Sequence, residues 1–135
     1  GTTRRLACRA RVRLMLLRHA KSSWADPLLK DEERPLNGRG LRASPKIAQL
    51  LAGSEEDGWK PTVILVSDAV RAVSTLEHMA LANPGLQKVD THVCPELYQS
   101  SGSGLELVEA LRRLLAEATE GKPNNAEGGG KRGGK

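Results

Sequence analysis

The segment Thr62–Val66 (TVILV) is β-branched and aliphatic throughout, stops abruptly at Ser67-Asp68, and leads straight into an amphipathic stretch. A short buried strand followed at once by a helix-capping pair is the repeating unit of α/β proteins. The same grammar occurs twice more. Val12–Leu17 (VRLMLL) is an apolar run of strand length that ends in Arg18-His19, and Lys88–Val93 reads as a weaker third strand. Helical periodicity fills the spaces between and after these runs. One helix is predicted from a cap at Asn37 to about Ala52, with Leu41, Ile47, Leu50 and Leu51 on its apolar side. Pro45 inside it implies either a kink or a second start, with Ser44 as cap. A second helix, about Ala69–Leu81, gathers Val70, Val73, Leu76 and Met79 or Ala80, and Asn83-Pro84-Gly85 stops it. A third, Leu105–Ala118, gathers Leu105, Val108, Leu111, Leu114 and Leu115.

Strand–helix alternation of this kind predicts a mainly parallel sheet between helices, a three-layer α/β/α arrangement. With 135 residues there is enough chain for one domain. Aromatic residues make up 2% and Phe is absent, so the core must be built from Leu, Val, Ile and Ala. No apolar run approaches the roughly 18 residues of a membrane span.

Net charge is +5, but the excess lies at the ends. Arg4, Arg5, Arg9, Arg11 and Arg13 open the chain without an acid, and Lys131, Arg132 and Lys135 close it. The basicity therefore reads as solvated tails rather than a nucleic-acid face on the domain. Residues 1–11 are expected to be a basic extension of transit-peptide character, in line with an organelle or cytoplasmic location. Residues 12–118 are the expected domain. Residues 119–135, rich in Gly, Lys, Asn and Pro, are expected to be a disordered tail. Cys8 and Cys94 form no CxxC pair and read as free thiols. Gly129…Gly134-Lys135 has the spacing of a phosphate-binding loop, but it lacks the Ser/Thr, the strand before and the helix after.

Ligands of open parallel sheets bind beyond the carboxyl ends of the strands. Here the first strand end offers Arg18-His19, with Lys21 close by. The second offers Ser67-Asp68, with Arg71 in the first helical turn. Two guanidinium groups are suited to phosphate oxygens, and an imidazole between two cations is favoured in its neutral, nucleophilic form.

The segments LMLLRHAKSSWADP, DEERPLNGRG and VSDAVRAVSTLE together resemble the histidine phosphatase superfamily, whose fold is phosphoglycerate mutase-like. The resemblance is strongest to its phosphohistidine-phosphatase (SixA) branch. It rests on Arg18-His19-Ala20, on Arg34-Pro35-Leu36 with Gly40, on Ser67, Ala69, Arg71 and Thr75, and on CPELYQS before a Leu-rich helix. The resemblance implies that His19 takes up the phosphoryl group and that water then hydrolyses the phosphohistidine. It implies that Arg18 and Arg71 hold the phosphoryl oxygens, with Ser67 and Lys21 as further binding residues. Neither a metal nor another cofactor is implied. Glu96 is the implied proton donor, with Asp26 and Asp31 as weaker candidates. The substrate class would be a phosphohistidine protein or a small phosphate ester.

The chain departs from the family at one point. The family's second histidine, in a Gly-His pair ending a fourth strand, has no counterpart. His78 is expected mid-helix and His92 within a strand, and Asn83-Pro84-Gly85-Leu86 is a helix stop. A fragment of a longer gene product is the favoured explanation, ahead of a degenerate relative. A non-catalytic phosphate-binding protein and a nucleic-acid-binding module follow as alternatives to the phosphatase.

Overall fold

The computed structural model describes residues 13–52, 60–98 and 104–120. Strands β1 (Val63–Val66) and β2 (Asp90–Val93) pair in parallel, with Val63 opposite Asp90 and Val66 opposite Val93. Helix α1 spans Gly38–Ala52, α2 spans Val70–Ala82 and α3 spans Gly104–Glu120. Chain order β1–α2–β2 is thus a β-α-β unit, and the fold is mixed α/β with a parallel sheet, as the alternation of patterns predicts. No helix among the described residues is long and apolar enough to cross a membrane.

The structure differs from the sequence reading at the first strand. Leu14–Leu17 takes no regular secondary structure, and Leu16 is 75% exposed. A strand exists only through its neighbours, and the sheet of the described residues consists of β1 and β2. An apolar run supplies the wish to be buried but not the partner backbone. The other boundaries move by a residue or two. The third predicted strand begins at Asp90, because Pro84–Lys88 coils into a 3-10 turn capped by the Asn83 side chain. Helix α3 continues to Glu120. The basic extension and most of the expected tail lie outside the described residues.

Helix α1 starts where Asn37 predicts, with its side-chain oxygen accepting from the Gly40 N–H at 2.9 Å. It runs through Pro45 without a second start. Ser44, offered as an alternative cap, is instead fully buried and donates back to the Gly40 carbonyl at 2.9 Å. The buried face of α1 is Gly40, Ser44 and Ala48, one residue per turn, and Leu41 and Leu50 are exposed. The correction has a simple cause. Helix α1 packs mainly on α2, whose buried residues are Thr75 and Met79, and small side chains let the two backbones approach. Leucines on the flank of so tight a seam stay outside it. In α3 Leu114 of the predicted face is buried, together with Ala118, and Leu105 and Val108 remain exposed.

Residues 21–23 are zipped to 35–37. The Ser23 N–H donates to the Pro35 carbonyl at 2.7 Å and the Asn37 N–H to the Lys21 carbonyl at 2.9 Å, around a Ser22–Leu36 bridge. The intervening residues form an excursion closed at its base. Gly40 lies against that base, where a Cβ would stand 2.3 Å from the Lys21 carbonyl oxygen.

Candidate active site

Thr75 fixes the relation between His19 and α2. Its hydroxyl accepts from the Ala20 N–H at 3.0 Å and donates to the Arg71 carbonyl at 2.6 Å. Arg71 and Thr75 are one helical turn apart, so the residue that anchors the His19 segment lies beneath the residue that meets the imidazole. Ala20 and Thr75 are both buried, which keeps this pin dry.

The imidazole itself is oriented at both nitrogens. Arg71 Nε lies 3.2 Å from His19 Nε2. An arginine N–H can only donate, so Nε2 is the acceptor and carries the lone pair. The ring proton is then on Nδ1, which donates to the Ala20 carbonyl at 2.7 Å. The Nε2 lone pair is thus engaged by a guanidinium N–H rather than by a carboxylate.

Around this pair lies an open cleft of about 630 Å³, lined by His19, Asp31, Ser67, Ala69, Arg71, Ala72, Leu97 and Tyr98. Ser67 follows the carboxyl end of β1, and Leu97-Tyr98 follow that of β2. The cleft is therefore at the strand ends, and the first residues of α2 line it where the helix dipole favours an anion. Ser67 does not cap α2 itself; its hydroxyl accepts from the Ala69 N–H at 3.3 Å, one step before the helix.

Asp31 is the hub of the cleft's polar contacts. Its Oδ1 accepts from Arg34 Nη1 at 2.6 Å, and its Oδ2 accepts from Arg71 Nη2 at 2.9 Å and from the Tyr98 hydroxyl at 3.0 Å. The Asp31 backbone carbonyl also accepts from Arg71 Nη1, at 2.5 Å. Arg34 is 6% exposed, and each of its three side-chain nitrogens donates a hydrogen bond. It donates to the Ser23 carbonyl at 2.9 Å and to Ser22 Oγ at 2.6 Å, with the Trp24 ring 3.2 Å from its guanidinium carbon. These donors, Arg34 first, then Tyr98 and Arg71, hold the Asp31 carboxyl down at about 2. Asp31 is therefore ionised at neutral pH and is no proton donor there. The same contact raises the Tyr98 hydroxyl, because a neighbouring carboxylate disfavours the phenolate.

A depressed carboxyl stabilises the fold above its unfolded value of 3.8, and that contribution is lost as pH falls towards 2. A 13C titration of the Asp31 carboxyl is expected to show a midpoint near 2, with thermal stability declining between about pH 4 and pH 2. A midpoint at the ordinary 3.8 would show that the clamp does not hold in solution.

Of the residues the sequence singles out, the cleft brings together His19, Ser67 and Arg71, with Asp31 from among the weaker acid candidates. Arg18 and Lys21 are exposed and do not line it. Glu96 points elsewhere, with its carboxylate 3.8 Å from Arg113 on α3. Its neighbours Leu97 and Tyr98 are the residues of that turn that reach the cleft. Tyr98 is the site residue that the sequence does not single out, and Asp31 serves as a hub rather than as the acid expected of it. The signal for Tyr98 is weak, a lone tyrosine just after a strand. Among the described residues, no three His, Cys, Asp or Glu side chains gather as a metal site would require.

No family model matches the chain. It is 37% identical over 105 residues to an uncharacterized chloroplastic protein of Arabidopsis thaliana, an alignment covering 78% of this chain and 47% of that protein. Among solved structures it is similar to the putative phosphohistidine phosphatase SixA of Agrobacterium tumefaciens, with a TM-score of 0.59 and 32% identity, over 77% of this chain and 60% of that one. A putative SixA of Nakamurella multipartitia matches with a TM-score of 0.52 and 28% identity, over 70% and 46%. The histidine phosphatase SixA complexed with tungstate matches with a TM-score of 0.55 and 28% identity, over 73% and 58%. The chain thus spans about half the length of the curated relative and some three fifths or less of the solved ones. Fold, motifs and relatives point to one class: the chain resembles the histidine phosphatase superfamily in both sequence and fold. Within that superfamily, the relatives among solved structures are of the SixA type.

Proposed function

We propose that this chain carries the phosphoryl-accepting site of a phosphatase acting on phosphohistidine or a small phosphorylated substrate. The observation that carries the reading is the His19 imidazole, fixed as the Nδ1–H tautomer with its Nε2 lone pair at the mouth of an anion-favouring cleft. Nε2 gives up its contact with the Arg71 Nε–H and attacks phosphorus with that lone pair, as the bond from phosphorus to the leaving imidazole or oxygen breaks. The leaving group takes a proton. Water then attacks the phosphohistidine, inorganic phosphate departs, and Nε2 is restored. Arg71 spreads the charge developing on the phosphoryl oxygens, and Ser67 and the start of α2 border their path. Arg18 and Lys21, exposed beside His19 and outside the lining, act on the anion only as nearby positive charge. A leaving imidazole, with a pKa of about 6.5, draws its proton from water readily and makes little demand on Glu96 or any other acid.

The tungstate complex of a SixA relative supports an oxyanion ligand here. The chloroplastic name of the Arabidopsis relative, together with the arginine-rich start, supports an organelle as the location. A second reading, phosphate binding without turnover, has its own support. Among the described residues the cleft contains one histidine, because His78 is turned back to the Ser74 carbonyl and His92 lies on β2.

The decisive measurement is phosphate release by the whole chain from a phosphohistidine peptide and from an aryl phosphate. Release from either is expected, with the peptide preferred. Tungstate binding with no release from either substrate would establish the non-catalytic reading instead.

A further inference from the structure

Arg71 is the residue through which the cleft grips both the nucleophile and its ligand, and it is a long side chain that needs holding. Its guanidinium has five N–H donors. One goes to His19 Nε2, one to the Asp31 carbonyl and one to Asp31 Oδ2. Two remain for phosphoryl oxygens. Asp31 is itself immobilised from behind, on Oδ1 by the buried Arg34 and on Oδ2 by Tyr98. A continuous chain therefore runs Arg34–Asp31–Arg71–His19, with its far end anchored in the protein and its near end on the reacting nitrogen. The Arg71 side chain is only 12% exposed, so it has been drawn out of water to this place.

We infer that Asp31 is a positioning residue, which holds Arg71 against His19 Nε2 and presents its two remaining N–H groups to the phosphoryl oxygens. Its benefit to phosphoryl transfer rests on the phosphatase reading; its hold on Arg71 does not. The competing possibility is that the carboxylate merely occupies the anion site and must be expelled. Two features argue against it. The backbone carbonyl of Asp31 shares the hold on Arg71, and an incoming anion has no reason to displace a neutral carbonyl. The carboxylate is also held by Arg34, which is buried beneath Ser22 and Trp24.

The two claims separate experimentally. In 15N spectra of the whole chain, solvent exchange of the Arg71 Nε–H is expected to quicken about tenfold in Asp31→Asn, the loss of one charge-assisted contact in a partly exposed pair. Asp31→Glu keeps the charge and should recover part of that protection, which a merely space-filling role would not give. Inorganic phosphate, titrated calorimetrically, should bind about tenfold more weakly to Asp31→Asn, with no further loss when the change is made in Arg71→Ala. Unchanged Nε–H exchange in Asp31→Asn overturns the inference, and so does tighter phosphate binding, the mark of a competing carboxylate. A wild-type chain that binds no phosphate, yet loses Nε–H protection in Asp31→Asn, upholds Asp31's hold on Arg71 and defeats the phosphatase reading alone.

Discussion

Replacing His19 with alanine is expected to lower phosphate release by about 10,000-fold or more, the scale on which removal of a covalent nucleophile acts. The size follows from the site. In the proposed reaction Nε2 is the atom offered to phosphorus, and the Nδ1 bond to Ala20 has already fixed the ring's tautomer and direction. Alanine removes the acceptor and leaves the guanidinium, so binding of inorganic phosphate should survive. Two measurements on wild type and His19→Ala check this: turnover of an aryl phosphate, and retention of an alkali-stable phosphoryl label after quenching. A variant that turns over as fast as wild type would mean the phosphoryl group passes directly to water. A variant that loses phosphate binding along with turnover would mean that His19 serves the site mainly as a structural support for Arg71.

Gly40→Ala should cost about 3 kcal/mol, the upper range for overpacking a tight contact. The sign is not obvious in advance, because alanine in place of glycine ordinarily favours a helix by about 1 kcal/mol. Geometry decides it. A Cβ on Gly40 would lie 2.3 Å from the Lys21 carbonyl oxygen and 3.1 Å from its carbon and nitrogen, and these are backbone atoms. That carbonyl is also the acceptor for the Asn37 N–H, so moving it opens the zipper at the base of the excursion. Lys21 is two residues from His19, and the disturbance reaches the site. Thermal denaturation should register a fall in Tm of about 10 °C. A Gly40→Ala chain as stable as wild type would show that α1 and the His19 segment do not pack this closely in solution.

Much of the local structure was legible because it depends on residues near in sequence. Asn37 caps α1, Asn83 ends α2, and the β-branched run is β1, each through contacts within a few residues. That Leu14–Leu17 forms no strand was not legible, because apolar character does not reveal whether backbone partners are present. The buried face of α1 was misread for a related reason. Periodicity marks the leucines, but the close approach of α2 selects Gly40, Ser44 and Ala48.

The site divides in the same way. Arg18-His19, Arg34-Pro35-Leu36 and Ser67…Arg71…Thr75 can be read from the chain, because each is a local pattern with known chemistry. They carry the resemblance to the histidine phosphatases and single out His19 and Arg71, which the fold then brings into contact. Tertiary structure alone decided that Asp31, 40 residues from Arg71 and 67 from Tyr98, meets both. It also decided that Glu96 turns to Arg113 while Tyr98 takes the cleft. The physical reason is that hydrogen-bond geometry is set within a few tenths of an ångström. Where a strand end and an excursion loop converge, that precision comes from packing between distant segments.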